Sequence, residues 1–260
     1  MYPFNYHRPS TLEEAASLMA GAADGVYLSG GMTLIPTLKQ RLASPSDVID
    51  LGAIPGLTGV TVNDGTFSVG GMTRHAEVAA SDAIPALADL ASRIGDSHVR
   101  NRGTIGGSIA NSDPAADYPA AVVALGATVH TSNRSIPGSD FFTSLFETAL
   151  HDGEIITSVD FCVPDAAVYE KFPNPASRYA VVGVMVARCG DCVCVGVTGA
   201  GACAFRATAL EEALAADFSP GAVDGVGIDH SEFNSDIHAS AEFRGHLVGV
   251  LTKRAVAQIV

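Results

Sequence analysis

The apolar and polar positions of this chain change period several times, and each change marks an element. "STLEEAASLMA" offers the hydroxyls of Ser10 and Thr11 and then places acids in the following turn, which predicts a capped helix. "GVYLSGG" reads as a short buried strand that breaks at Gly30 and Gly31, "TLIPTLKQRLA" as a helix or helical turn, and "DVIDL" as the next strand. These make a βαβ-sized unit ending near residue 55. "LTGVTVNDGTFSVGG" is two strands around an Asn-Asp-Gly turn, a hairpin signal. "TRHAEVAAS" and "AIPALADLASRIG" follow as helices, "PAAVVALGATVHT" runs from helix into strand, and "EIITSVDFCVP" is a strand closing this part near residue 165. "DAAVYEKFPNPASRYA" carries two prolines and reads as a linker. Beyond it, "YAVVGVMVARC" and "DCVCVGVTG" are paired strands, "TALEEALAA" is a helix, and "AEFRGHLVGVLTKRAVAQIV" is a long amphipathic one.

Composition narrows the class. At 260 residues the chain suits two or three subdomains and can bury a sizeable core. No apolar run approaches the roughly 18 residues needed to span a bilayer, and the start lacks the basic-then-apolar layout of a leader peptide, so a cytoplasmic protein is expected. A net charge of -13 with no basic run to offset it argues against nucleic acid and anionic membranes as partners. Four of the five cysteines crowd into "RCGDCVCVGVTGAGACAF", a grouping that could hold metal. Periodicity favours a strand instead: Cys192 and Cys194 alternate with Val193 and Val195, which points both thiols to one face as small buried residues.

The chemistry rests on the glycine loops. Gly30-Gly31 and Gly106-Gly107 lack Cβ, can reach positive φ, and let backbone N–H groups approach a ligand. With Thr33, Thr104 and Ser108 beside them, such concavities can hold a phosphate without lysine. "SGGMTLIP" and "VGGMTRHA" echo each other, but their flanks differ too much for a repeat.

"YLSGGMTLIPTLKQRL" followed by "HVRNRGTIGGSIANSDPAADYPAAVVALGA" resembles the flavoprotein medium subunit of molybdenum hydroxylases, the family of the carbon monoxide dehydrogenase medium subunit, and is similar to the flavin domain of xanthine dehydrogenase. The likeness runs from "FNYHRPSTLEEA" through "GMTRHAEVAAS" and "ASRYAVVGV" to "AEFRGHLVGVLTKRAV". It implies an α+β chain: a PCMH-type FAD-binding fold of two subdomains, residues 1–55 and 56–165, followed by a small α/β C-terminal domain, 166–260. It also implies FAD contacts at Leu28, Ser29, Gly30, Gly31, Met32, Thr33, Leu34 and Ile35 on the first loop and at Thr104, Ile105, Gly106, Gly107 and Ser108 on the second. By the same resemblance Asp117 supplies a carboxylate, Ile94 and Ile156 apolar contacts, and Lys171 a basic group. Asp113, by contrast, fits a helix N-cap ahead of Pro114.

The resemblance further implies an electron-transfer role. A small partner subunit with [2Fe-2S] clusters would feed the FAD, a large subunit would carry the molybdenum cofactor, and a quinone, oxygen or NAD would accept the electrons, in an assembly such as a dimer of heterotrimers. The competing readings are a free-standing FAD-dependent oxidase of the same superfamily and a nucleotide-binding scaffold without redox chemistry. Two decoys are set aside. Gly199-x-Gly201-x-x-Ala204 between a strand and a helix imitates a dinucleotide fingerprint, but too little chain follows for further parallel strands. Asp96, Ser97 and His98 tempt toward a hydrolase, yet adjacent residues rarely converge on one substrate. The histidines show no metal-ligand spacing, and His75 and His98 read as polar loop or helix-start residues.

Overall fold

The computed structural model describes every residue from Met1 to Val260. The first part contains β1 (Asn5–His7), α1 (Leu12–Gly21), β2 (Gly25–Leu28), α2 (Leu34–Lys39) and β3 (Asp47–Asp50). Its strands are parallel in the order β1-β3-β2, and α1 begins as expected at a Thr11 cap, whose hydroxyl accepts from the Glu14 N–H. A small core of Ala15, Ile49, Leu51, Ile54 and Leu57 lies beneath, with Ile155 entering it from the next part.

The second part runs through β4 (Val60–Asn63), β5 (Thr66–Gly70), α3 (His75–Ala79), α4 (Pro85–Ser92), α5 (Ser97–Arg100), α6 (Ile105–Asn111) and α7 (Tyr118–Ala124). It continues with β6 (Thr128–Thr131), β7 (Ser135–Pro137), α8 (Gly138–Phe141), β8 (Phe142–Ser144), β9 (Glu147–Thr148) and β10 (Ile156–Cys162). Five strands form an antiparallel sheet, β4-β5-β10-β6-β7. The predicted β4–β5 hairpin turns through Asp64 and Gly65, both at positive φ, the backbone that a two-residue turn requires. One face of this sheet buries Phe67, Val69, Val129, Val159 and Phe161 in the largest core, with residues of α4, α6 and α7.

The third part has β11 (Ala166–Pro173), β12 (Ala180–Cys189), β13 (Cys192–Thr198), β14 (Phe205–Arg206), α9 (Thr208–Ala216) and α10 (Ala241–Ile259), with the strands antiparallel in that order. β12 is covered on both faces. Val182, Val184 and Val186 pack with α9 and α10, while Met185 and Ala187 join the core around α7. No helix is long and apolar enough to cross a membrane.

Three expectations are corrected. Residues 166–173 form an eight-residue strand paired with β12 and not a linker. Its proline stands at the end of an edge strand, where the register already shifts and a missing N–H costs the ladder little. Asp113 does not cap α7: its carboxylate accepts from the Ala115 N–H in a separate turn, and Asp117 occupies the N-cap position without capping. Cys192 is exposed and Cys194 half-buried, because they lie where the β12–β13 hairpin emerges from its neighbours. All five cysteines are free, and no three side chains meet at metal-binding distance.

Candidate functional site

The chain leaves β2 at Ser29 and turns into α2 through Gly31, whose φ of +76° is the left-handed conformation that suits glycine. The N–H groups of Gly30, Gly31, Met32 and Thr33 have no acceptor anywhere in the protein. Four successive amides with nothing to donate to form a concave set of partial positive charges, the arrangement that takes an anion.

The second glycine loop is built the opposite way. It is the first turn of α6, with Thr104 as its cap. Ile105 N–H donates to the Thr73 carbonyl, Gly106 N–H to that of Gly71, Gly107 N–H to the Thr104 hydroxyl and Ser108 N–H to the Thr104 carbonyl. Neither Gly106 nor Gly107 adopts positive φ. The expectation that this loop offers free amides is therefore corrected; its donors are already used. Its glycines serve close approach instead. A methyl group on Gly106 would stand 2.5 Å from the Gly71 carbonyl oxygen, and one on Gly107 would stand 2.9 Å from the Thr104 hydroxyl and 3.4 Å from Ser29. From the first loop, a methyl on Gly30 would stand 2.2 Å from the Arg102 carbonyl oxygen. Ser29 and Thr104 join the two loops by a hydroxyl pair at 2.6 Å.

Between the loops lies a cavity of about 610 Å³. Its wall includes Ser29, Gly30, Gly31, Met32, Thr33, Leu34, Ile94, Thr104, Gly106, Gly107, Ser108, Asp117 and Ile156, so thirteen of the residues singled out in the sequence meet at one place. The other four stand behind it. Leu28 and Ile35 pack beneath Gly31, and Ile105 is wholly buried in the main core. Lys171 lies behind Asp117, its ammonium 2.8 Å from Oδ1 and 3.0 Å from Oδ2 of that carboxylate.

Asp117 is itself buried, and Tyr169 donates to its Oδ1 at 2.6 Å. Burial pushes the carboxyl's pKa up, and the ammonium of Lys171 opposes that shift. A carboxylate has about four lone-pair positions, and Tyr169 and Lys171 make three contacts here, which leaves capacity for a ligand's hydroxyl or N–H.

Several wall residues were not singled out. Gly71 and Met72 belong to the second Gly-Gly-Met stretch, so the echo noticed in the sequence reflects two loops on one cavity. His75, which read as a polar helix-start residue, begins α3 but is 4% exposed, and burial pushes its pKa down to about 4, helped by Arg100. Arg178 and Tyr179 reach the wall from the turn between β11 and β12, where Arg178 donates to the Gly95 carbonyl at 3.0 Å. That turn fell inside the expected linker, and although "ASRYAVVGV" was part of the family resemblance, neither residue was assigned to the site.

The decoys resolve. Asp96 caps α5 by accepting from the Val99 N–H, and His98 lies in solvent. Gly199-x-Gly201 follows β13, whose neighbours are antiparallel, so no βαβ unit exists there. A Ser-His-Asp row does occur elsewhere: on the outer face of the five-stranded sheet, Ser135 meets His130 Nδ1 at 2.8 Å and His130 Nε2 meets Asp160 at 2.9 Å, while Ser68 donates to the other Asp160 oxygen. Neither the cavity between the glycine loops nor the one beside Arg244 touches it.

The site can therefore hold an anion on neutral amides at one end of a long slot and meet a polar ring or polyol with a carboxylate further along. The comparisons agree with this chemistry. The family described as the FAD binding domain in molybdopterin dehydrogenase matches residues 2–164. The nicotine 6-hydroxylase medium subunit of Paenarthrobacter nicotinovorans is 33% identical, over 97% of this chain and 96% of that one. The carbon monoxide dehydrogenase medium chain of Hydrogenophaga pseudoflava is 31% identical over 97% and 96%. Among solved structures, a chain of reconstituted CO dehydrogenase from Oligotropha carboxidovorans superposes with a TM-score of 0.90 at 29% identity, covering 99% of this chain and 97% of that one.

Proposed function

This chain belongs to the FAD-binding family of the molybdopterin dehydrogenases, as a medium subunit and so as one component of an oxidoreductase, and from that premise we propose how it works. The observation that carries the reading is the run of free amides from Gly30 to Thr33, which suits a pyrophosphate. The hydroxyl of Thr33 adds a donor beside them. Asp117 receives hydroxyl or N–H donors of the cofactor, and Ile94 and Ile156 give the slot apolar walls. Lys171 acts through Asp117: by holding that carboxylate ionised it keeps an acceptor in the slot. Arg178 and Tyr179 close the slot from the third part and restrict water. Bound there, FAD supplies a ring that accepts electrons singly or in pairs, chemistry that no side chain of this protein offers.

The finer reading is that electrons arrive from the [2Fe-2S] clusters of a small partner subunit, originate at a molybdenum-bearing large subunit, and leave to an external acceptor. The names of the relatives, medium chains and subunits of multi-part dehydrogenases, support it. The division at 1–55, 56–165 and 166–260 follows the three main sheets and belongs to the same proposal.

The test is anaerobic spectroscopy. The purified chain, given FAD, should retain it through gel filtration, and dithionite should bleach it. An aldehyde, a purine or carbon monoxide should not bleach it until iron–sulfur and molybdenum subunits are added. Bleaching by an organic substrate with the chain alone would establish the free-standing oxidase instead. Failure to retain flavin would favour the scaffold.

A further inference from the structure

The two strands β12 and β13 are joined by only Gly190 and Asp191, with Gly190 at φ +57° and its N–H donating to an Asp165 carboxylate oxygen at 2.6 Å. The residues that flank this turn are Cys189 and Cys192, and they are direct register partners across the two strands. Opposed residues of an antiparallel pair project to the same face with Cα atoms about 4.5 to 5.5 Å apart. A disulfide needs Cα atoms about 4.4 to 6.8 Å apart, a condition that opposed residues of such a pair meet. Cys192 is exposed and Cys189 half-buried, whereas the next cysteine on that face, Cys194, is opposed by Ala187 and has no thiol across from it. The turn lies at the far end of β12 from Tyr179 and the cavity, so the cofactor site makes no use of these thiols.

We propose that Cys189 and Cys192 form a reversible dithiol–disulfide clip at the tip of the β12–β13 hairpin, oxidised by hydroperoxides. The chemistry balances. The exposed Cys192 sulfur attacks the peroxide O–O bond and becomes a sulfenic acid while water leaves. Cys189 then attacks that sulfur, the S–S bond forms, and a second water leaves. Two thiols lose two electrons and two protons, and hydrogen peroxide is reduced to two waters. Burial pushes the Cys189 thiol pKa up, so it stays protonated longer and the exposed Cys192 is the first of the two to react. An exposed bond closing so small a loop is among the easily reduced ones, so a thiol reductant reopens it.

The whole chain is used for the test. Reduced protein should titrate five thiols with a chromogenic disulfide, the number in the sequence. After a few equivalents of hydrogen peroxide it should titrate two fewer, with an intact mass lower by two hydrogens and no dimer on a non-reducing gel; dithiothreitol should restore both. Cys192→Ser should lose no hydrogen pair at the same dose, whereas Cys194→Ser and Cys162→Ser should behave as the parent does. Retention of all thiols, addition of oxygen without hydrogen loss, a disulfide-linked dimer, or loss of the effect in Cys194→Ser or Cys162→Ser would overturn the assignment.

Discussion

His75 shows how far a residue's surroundings can depart from its local sequence. It stands at the start of a short helix, yet it is buried against Tyr118 with its Nδ1 lacking any partner. Its folded pKa of about 4 lies below the value of about 6.5 expected when unfolded, so the fold favours the neutral ring. The stabilisation is then complete above pH 6.5 and is lost as pH falls from there through 4, by about 3 kcal/mol in all. Urea unfolding of the cofactor-free chain across that range should show this slope, and His75→Phe should flatten it. Lys171 makes the converse case, since its removal strands the buried Asp117 carboxylate. Lys171→Met should cost about 3 to 5 kcal/mol in the same assay, and adding Asp117→Asn should recover much of it. A sequence shows that an aspartate and a lysine lie 54 positions apart, but their meeting depends on a strand, β11, disguised by Pro173 at its end and Pro175 beyond it.

At the scale of elements, the two glycine loops divide the work unequally. Paired glycines and capping hydroxyls are local signals, so the sequence marked both loops, whereas Ile94, Asp117 and Ile156, which share the wall with them, were implied only by the family resemblance. Which loop has amides to give was not legible, since Ile105 and Gly106 spend theirs on Thr73 and Gly71, over thirty residues away. The close approach of Gly30 to Arg102 leads to a definite expectation. Gly30→Ala should force the loops apart and lower FAD affinity by at least about tenfold, equivalent to about 1.4 kcal/mol, read by flavin fluorescence titration, with the far-ultraviolet circular dichroism unchanged.

For the whole molecule, the three parts are unevenly secured. The second and third share a core, and β11 to β13 are tied to the chain around α7. Thr198 donates to the Ala116 carbonyl at 2.6 Å, Arg93 to that of Tyr169 at 2.9 Å, and Tyr169 to Asp117. The first part rests on a cluster of six buried residues against 29 in the main cluster, and two of the six, Leu57 and Ile155, come from the second part. Hydrogen exchange should therefore find the amides of β1 to β3 opening well before those of β10 and β12, and FAD should slow exchange in β2 and the loop after it. This hierarchy was only partly legible. Period and turns gave most elements, but how much core each part buries depends on which helices cover which sheet.

The outer face of the five-stranded sheet has a further consequence, for anyone who searches structures with side-chain templates. Ser135, His130 and Asp160 form a hydrogen-bonded row on three neighbouring strands, with the ring reversed relative to a hydrolytic triad: Nδ1 faces the serine and Nε2 the aspartate, and about a third of the His130 and Asp160 side chains is exposed. Neither the cavity between the glycine loops nor the one beside Arg244 borders the row. Strands bring alternate side chains into rows as a matter of geometry, and a row of serines, a histidine and an aspartate will satisfy its own hydrogen bonds whether or not a substrate ever arrives.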